Sequence, residues 1–499
     1  MSAMAPQDAT MYWLSERTRN DLFLLYCFAD RGLPTVELRA AVAERSARIA
    51  DLGVRLRELP ADIDYPMWTR CEFGAEQFVE HELPERSWSC LLEVLGDLLG
   101  TGVDAAVHPW RLHVFRAIAD APGLGGEPAL VAVLQMSHAL ADGRRSSAIA
   151  RALFSETPAV EDGSRTASAA PEAVGSAADA RTAPGSRLET LARWPEVTAR
   201  ARTIGDAVSA AGVLVDSAVG VLRMPVRVAA TAVRGYQAFR AQRRLAELTE
   251  SGEVPPPAAG FPPSVLNRSS PQGISRHEAR MLVFPSADLR VSGRTVTVVV
   301  LTAVSLALAR YLAELGEPVE RLGAQVPMAL PEAGRARNNY RGLGVDLFID
   351  ETDLRLRADK IAAALADRRV RAQHPLLSAQ GRVTAAMPAP LLRRDVDRYP
   401  LDAVPDSIAG HTVVSSVDRG PADLSFGGGA VRFTAGFPAL GSVMHLTHGV
   451  HGLGDTVTIS LHADPAVLPD LDAYAAHLRA ALLEAHLTRV DSAPASPSV

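Results

Sequence analysis

The run Met136-Ser137-His138-Ala139-Leu140-Ala141-Asp142-Gly143 sets an imidazole four residues ahead of a carboxylate and a glycine. Imidazole takes up a proton near neutral pH, which is what activating a hydroxyl or amine nucleophile requires. Asp is a favoured helix N-cap, and glycine lets a ligand or another backbone approach closely. His138 is therefore the candidate general base, with Asp142 orienting its loop and Gly143 leaving space beside it. A capped helix preceded by a surface histidine has the same spacing, so the pattern takes its meaning from the elements around it. Ala129 to Met136 is a continuous apolar run and predicts a buried strand before the motif. Arg144 to Phe154, with Ile149, Leu153 and Phe154 able to share one side, predicts a helix after it.

His445, His448 and His451 form a second group and invite a zinc reading. Strand geometry sends His445 and His448 to opposite faces, so they converge on one ion only if the strand breaks at Gly449. A polar channel lining or a solvent-facing strand is the plainer reading, and no metal site is assigned. The cysteines, Cys27, Cys71 and Cys90, form no CxxC and leave one over, which points away from a disulfide framework and towards a reducing compartment.

The elements must be drawn from 499 residues of ordinary globular composition, 47% hydrophobic and 22% charged. That excludes a collagenous or wholly disordered chain. Acids outnumber Lys and Arg by 57 to 51, so no global basic field draws the chain onto nucleic acid. The N-terminus lacks the basic and apolar segments of a signal peptide. The apolar run Val296 to Ala309 is about 14 residues, short of the ~20 that span a bilayer. A cytoplasmic chain is expected, peripheral on the inner face of the plasma membrane or on a lipid-droplet surface.

Composition divides the chain. Residues 1–155 and 256–490 alternate strands and helices, and 491–499 is a polar tail. Residues 156–187 are Ala, Ser, Pro, Gly and acids, which cannot bury enough surface to offset ordering entropy and read as a disordered linker. Residues 188–255 form a basic helical segment, with breaks or kinks expected at Pro195 and Pro225. Its valines and leucines mix with Arg202, Arg223, Arg227, Arg234, Arg240, Arg243 and Arg244, which suits either a membrane interface or a helix bridging two lobes. Short strands are predicted at Gly323 to Met328 and Gly344 to Ile349, buried and amphipathic helices at Thr295 to Leu315, Asp353 to Arg369 and Leu468 to Leu487, and a hairpin from Val443 to Val450 and Thr456 to His462.

HxxxDG after an apolar strand resembles the signature of the CoA-dependent acyltransferase superfamily. Within it the chain most resembles the bacterial wax ester synthase/diacylglycerol acyltransferase (WS/DGAT) family. Pro6-Gln7-Asp8-Ala9 is similar to its opening Pro-x-Asp-Ala element, and His108-Pro109-Trp110 to its Pro-Leu-Trp element. Phe261 to Asn267 resembles the Thr-Pro-Leu-Asn entry to the second half, and Val326-Pro327, Asn338-Asn339, Ser415 to Pro421 and Leu468 to Leu487 follow in family order. The resemblance implies a two-lobed chloramphenicol acetyltransferase-like α/β fold, with mixed sheets flanked by helices and an active-site channel between the lobes. One mouth would admit acyl-CoA and the other a lipid alcohol. His138 would deprotonate the acceptor hydroxyl, and Ser137, Asn338 and Asn339 would touch substrate. Acyl-CoA is then a co-substrate and no cofactor is required.

Four departures stand out. The first histidine of HHxxxDG is Ser137, an Asn-Asp pair reads Thr297-Val298, a Ser-Leu-Arg reads Ala329-Leu330-Pro331, and Ser-Asn-Val-Pro-Gly-Pro has become Ser415-Ser416-Val417-Asp418-Arg419-Gly420-Pro421. A long-chain acyl-CoA-dependent O-acyltransferase forming triacylglycerol or wax ester is the leading expectation. A non-catalytic lipid- or partner-binding member, and an acyltransferase with a glycolipid, polyketide or amine acceptor, are the alternatives.

Overall fold

The computed structural model describes residues 2–155, 195–270, 276–331 and 335–487. The linker expected at 156–187 and the tail at 491–499 lie outside the described residues.

The first lobe begins with α1 (Pro6–Ser15), β1 (Leu22–Ala29), β2 (Phe78–His81), β3 (Trp110–Ile118), β4 (Ala129–Met136) and α2 (Gly143–Phe154). The run predicted as β4 has no polar face because the strand is central and covered twice. Leu130, Ala132, Leu134 and Met136 pack with Tyr26, Phe28 and the α2 residues Ile149, Leu153 and Phe154. Val131 and Val133 point the other way, onto Leu91 and Leu95 of the helix Trp88–Leu99. Each such fully buried aliphatic or Phe side chain contributes about 1.5–3 kcal/mol over exposure. The strand-to-helix order around His138 is thereby fixed by two cores.

Next come α3 (Pro195–Glu250), β5 (Glu278–Pro285), α4 (Val296–Glu314), β6 (Gly323–Ala329), β7 (Tyr340–Asp346), α5 (Leu354–Gln373), β8 (Thr412–Asp418), β9 (Ser425–Phe426), β10 (Gly429–Phe437), β11 (Leu446–Leu453), β12 (Thr456–Ala463) and α6 (Leu471–Leu487). The second lobe is a six-stranded sheet in the order β7-β6-β8-β11-β12-β5, parallel at β6/β8 and β8/β11 and antiparallel elsewhere. α4 is 19 residues, long and apolar enough to cross a membrane, yet it lies in the core of this lobe. The hairpin turns at Gly454-Asp455, where Gly454 takes a φ of 54°, so the first strand runs on to Leu453, further towards the turn than the sequence suggested, while the second starts at Thr456 as expected.

The first-lobe sheet is ordered β9-β10-β1-β4-β3-β2, with β2/β3 its parallel pair. Both sheets are mixed and flanked by helices, as the resemblance implies. The expected boundary at 256–490 needs correction, however. β10 leaves the second lobe and pairs along β1, with β9 on its outer edge, and Phe433 and Ala435 join the first-lobe core. An apolar strand with an unpaired neighbour gains both ladder hydrogen bonds and burial by crossing.

Two further expectations are corrected. The strand placed at Gly344 to Ile349 is β7, Tyr340–Asp346, because Phe348 turns to a φ of 46° and leaves the ladder. Pro225 interrupts nothing: α3 runs through it, and Pro195 is its first residue. The helix is held from outside, by Asp216 to Arg57, Arg227 to Asp64 at 3.2 Å and over the Tyr65 ring, and by Arg234 to the Arg382 carbonyl at 3.2 Å. Such contacts offset the one hydrogen bond a helix proline deletes. α3 thus bridges the lobes.

Candidate active site

His138 sits in the turn from β4 to α2, partly exposed at the wall of a cavity of about 710 Å³ between the lobes. Its Nδ1 lies 2.9 Å from Asn338 Oδ1, on a residue 200 positions later in the chain. The orientation of that amide is set by its other end: Asn338 Nδ2 donates to the His138 carbonyl at 2.7 Å and to Asp8 Oδ1 at 3.1 Å. Oδ1 must therefore accept, Nδ1 must carry the proton, and the lone pair falls on Nε2. Burial lowers the His138 pKa below the ordinary imidazole value, against the opposing Asn338 bond, so the ring is neutral at pH 7. A neutral imidazole with a free Nε2 can accept a proton.

Asp8, at the start of α1, holds the support in place. Its carboxylate accepts from the backbone N–H of Arg337 at 2.9 Å and of Asn338 at 2.8 Å. Burial raises its pKa, and these donors pull it back. Arg337 lies over the Trp68 ring and donates to Asp51 at 2.8 Å, while Arg145 of α2 grips the same carboxylate at 2.8 and 2.9 Å. Two arginines on one aspartate tie the second-lobe segment to the first lobe beside the His138 turn.

Asp142 is the N-cap of α2, its Oδ1 accepting from Arg145 N at 2.9 Å. Its Oδ2 accepts from Asn339 N at 3.1 Å, and its own N–H donates to the Arg337 carbonyl at 3.2 Å. Gly143 lines the cavity, where an added Cβ would stand 3.7 Å from Val417. The three residues expected to touch substrate have partners within the protein. Ser137 is buried, and its Oγ accepts from Ala139 N at 3.3 Å within the turn. Asn338 stands behind His138, and Asn339 Nδ2 holds the Leu330 and Pro331 carbonyls at 3.3 and 2.6 Å. None of the three is among the cavity-lining residues.

The departures also find places. Thr297 Oγ1 donates to Ser416 Oγ at 3.1 Å, and Ser416 lines the cavity with its own hydroxyl proton uncommitted by that bond. Val298 is in the core, and Ala329 lines the cavity. The cavity wall is otherwise largely apolar, with Leu14, Leu22 and Leu24 from the first lobe and Tyr340 from β7. The histidine group separates: His445 bonds Asp464 and the Arg268 carbonyl, His448 bonds Thr412 and Tyr474, and His451 alone reaches the cavity. Among the described residues, no group of three His, Cys, Asp or Glu could hold a metal.

Sequence reasoning did not assign Asp8, Asp51, Arg337, Ser416 or Arg419 a part in the site. Asp8 and Asn338 lay within motifs that matched in order, but nothing in the sequence says that they touch.

Residues 338–485 match the model of the WS/DGAT C-terminal domain. Over the whole chain the fold is similar to that of the wax ester synthase/diacylglycerol acyltransferase from Marinobacter aquaeolei VT8, at 18% identity and a TM-score of 0.59, covering 98% of this chain and 100% of that one. It is also similar to a mutant starter condensation domain of rhizomide synthetase RzmA in complex with C8-CoA and Leu-SNAC, at 12% identity and a TM-score of 0.52, covering 98% and 95%. No curated protein matches the chain in sequence.

Proposed function

From a chain with the WS/DGAT C-terminal domain and the two-lobed fold of that family within the CoA-dependent acyltransferases, we propose an acyl-CoA-dependent O-acyltransferase that forms triacylglycerol or wax ester. The observation that carries this reading is the Asn338-oriented imidazole of His138 at the wall of an inter-lobe, largely apolar cavity. His138 Nε2 takes the proton of the acceptor hydroxyl as its oxygen attacks the thioester carbonyl. The tetrahedral oxyanion receives the Ser416 hydroxyl hydrogen bond. Collapse breaks the carbon–sulfur bond, and the imidazolium returns its proton to the departing CoA thiolate, leaving ester and free CoA. Preorganised donors of this kind contribute several kcal/mol where charge develops. The site residues are His138 as base, Asp142 and Asn338 as positioning residues, and Gly143 as the open position beside them. Acyl-CoA enters as co-substrate.

Purified full-length protein given hexadecanoyl-CoA and either dioleoylglycerol or hexadecanol should release CoA and form ester in equal amounts. Ester absent with every alcohol, or CoA released without ester, would overturn the reading.

The same reading places the protein peripherally on the cytoplasmic face of the membrane, where such lipids reside. α3 supports this with exposed Leu214, Leu222, Val226, Tyr236 and Phe239 beside Arg223, Arg240, Arg243 and Arg244. Apolar side chains flanked by cations suit an anionic lipid interface. Flotation with vesicles containing anionic lipid should carry the protein upward, and failure to float would contradict it.

A further inference from the structure

Arg419 is a departure from the family pattern, and it is buried at the cavity wall. Its backbone N–H is fixed to the Gly452 carbonyl at 2.8 Å, its Nη1 donates to Thr434 Oγ1 and to the Ala435 carbonyl at 2.9 Å, and its guanidinium lies 5.3 Å from the Tyr26 ring centroid. None of these partners is an anion. Among the described residues no carboxylate pairs with Arg419, and its Nε has no hydrogen-bond partner. His451, also buried and also at the cavity wall, leaves Nδ1 without a partner.

The two groups converge where Gly436 has no side chain. A Cβ there would stand 2.6 Å from Arg419 Nη2 and 2.8 Å from His451 Nε2, and one on Gly449 would stand 2.7 Å from His451 Cε1. Glycine at both positions leaves room for a guanidinium and an imidazole side by side. Burial and the Arg419 charge hold the His451 pKa well below its usual value, so the imidazole remains a neutral hydrogen-bonding group. A buried guanidinium without a counter-charge is costly to maintain, and an anion supplied from the cavity would complete it.

We propose that Arg419 and His451 form an anion subsite in the inter-lobe cavity that takes a carboxylate carried by one of the two substrates. The inference rests on the acyl-transfer reading for its biological meaning. The carboxylate has two possible sources, the far end of an ω-carboxyacyl chain or the acid group of a hydroxy-acid acceptor. Arg419 meets it with Nη2, which faces the space over Gly436, and His451 with a ring N–H. Arg144, Asp142 and Asp418 also line the cavity, so discrimination between an acid and its neutral counterpart rests on the buried Arg419, whose unpaired charge only the acid satisfies.

Two measurements test this. Octanoate and octanol are titrated into the full chain by calorimetry. Octanoate should bind at least about tenfold more tightly, as charge-assisted bonding in a dry site allows. Arg419→Met, which keeps the stem and removes the charge, should abolish the difference. CoA release is then compared in two arms. One arm uses acyl-CoA with and without a terminal carboxylate on hexadecanol, and the other uses a hydroxy acid against the matching alcohol with one acyl-CoA. One arm should favour the acid by about 10- to 100-fold in kcat/KM, and that ratio should fall towards one in Arg419→Met and part of the way in His451→Gln. Equal binding of octanoate and octanol by the unmodified protein, or no preference in either arm of an active enzyme, overturns the subsite even if the variants fail to fold. Octanoate binding that needs Arg419, with no CoA release from any pair, upholds the subsite and removes acyl transfer instead.

Discussion

Replacing Asn338 by Leu keeps the volume behind His138 and removes three side-chain hydrogen bonds, at 2.9 Å to His138 Nδ1, 2.7 Å to the His138 carbonyl and 3.1 Å to Asp8. Asp8 keeps the two backbone donors, so the fold loses about 1–3 kcal/mol for the polar groups left unpaired in a buried place. Catalysis should lose more, because the imidazole is then free to place its proton on Nε2, where the base is needed. Positioned general-base catalysis contributes about 10²–10⁴-fold, and a plateau kcat about 100-fold below the parent is expected. The pH profile separates this from simple damage. The base works when neutral, so the acid limb of kcat/KM lies below the ordinary histidine range, in the direction burial moves His138. The Asn338 bond favours the protonated ring, so its loss should move that limb to still lower pH while the plateau falls. Thiol-reagent detection of CoA release from pH 4.5 to 8, beside urea melts, would read both. A plateau within about threefold of the parent, or a limb displaced upward, would mean that Asn338 does not set the His138 tautomer.

Ser416→Ala should lower kcat by about 10²-fold with little change in KM, as removal of a single oxyanion donor does; a KM effect alone would move Ser416 to substrate binding. Stability should fall with acid. Burial lowers the pKa of His113 and His448 to about 4 and of His462 to about 3. An unfolded chain binds protons at these histidines below about 6.5 while the folded chain does not, so stability is whole above that pH and declines down to 3–4. The slope is up to about 1.4 kcal/mol per pH unit for each group, and thermal melts between pH 7 and 5 that coincide would contradict it.

What could be read from sequence was local. β4 and α2 follow from an apolar run and a helical period, and His138, Asp142 and Gly143 lie between them with no long-range information needed. Asn338 shows the limit. A residue 200 positions away reads as a substrate contact from motif order, and only the folded chain shows its amide behind the imidazole and Asp8 behind the amide. β10 is a second case, since its apolar pattern predicts a strand but not which sheet it joins. Pro225 is a third, because a helix-breaking residue was outweighed by ion pairs and packing from both lobes.

His138→Ala, assayed for CoA release from hexadecanoyl-CoA with dioleoylglycerol or hexadecanol, tests the central claim most directly. A folded variant is expected, with kcat reduced by at least about 10²-fold and the acid limb absent from what activity remains. Retention of full, pH-dependent activity would contradict it.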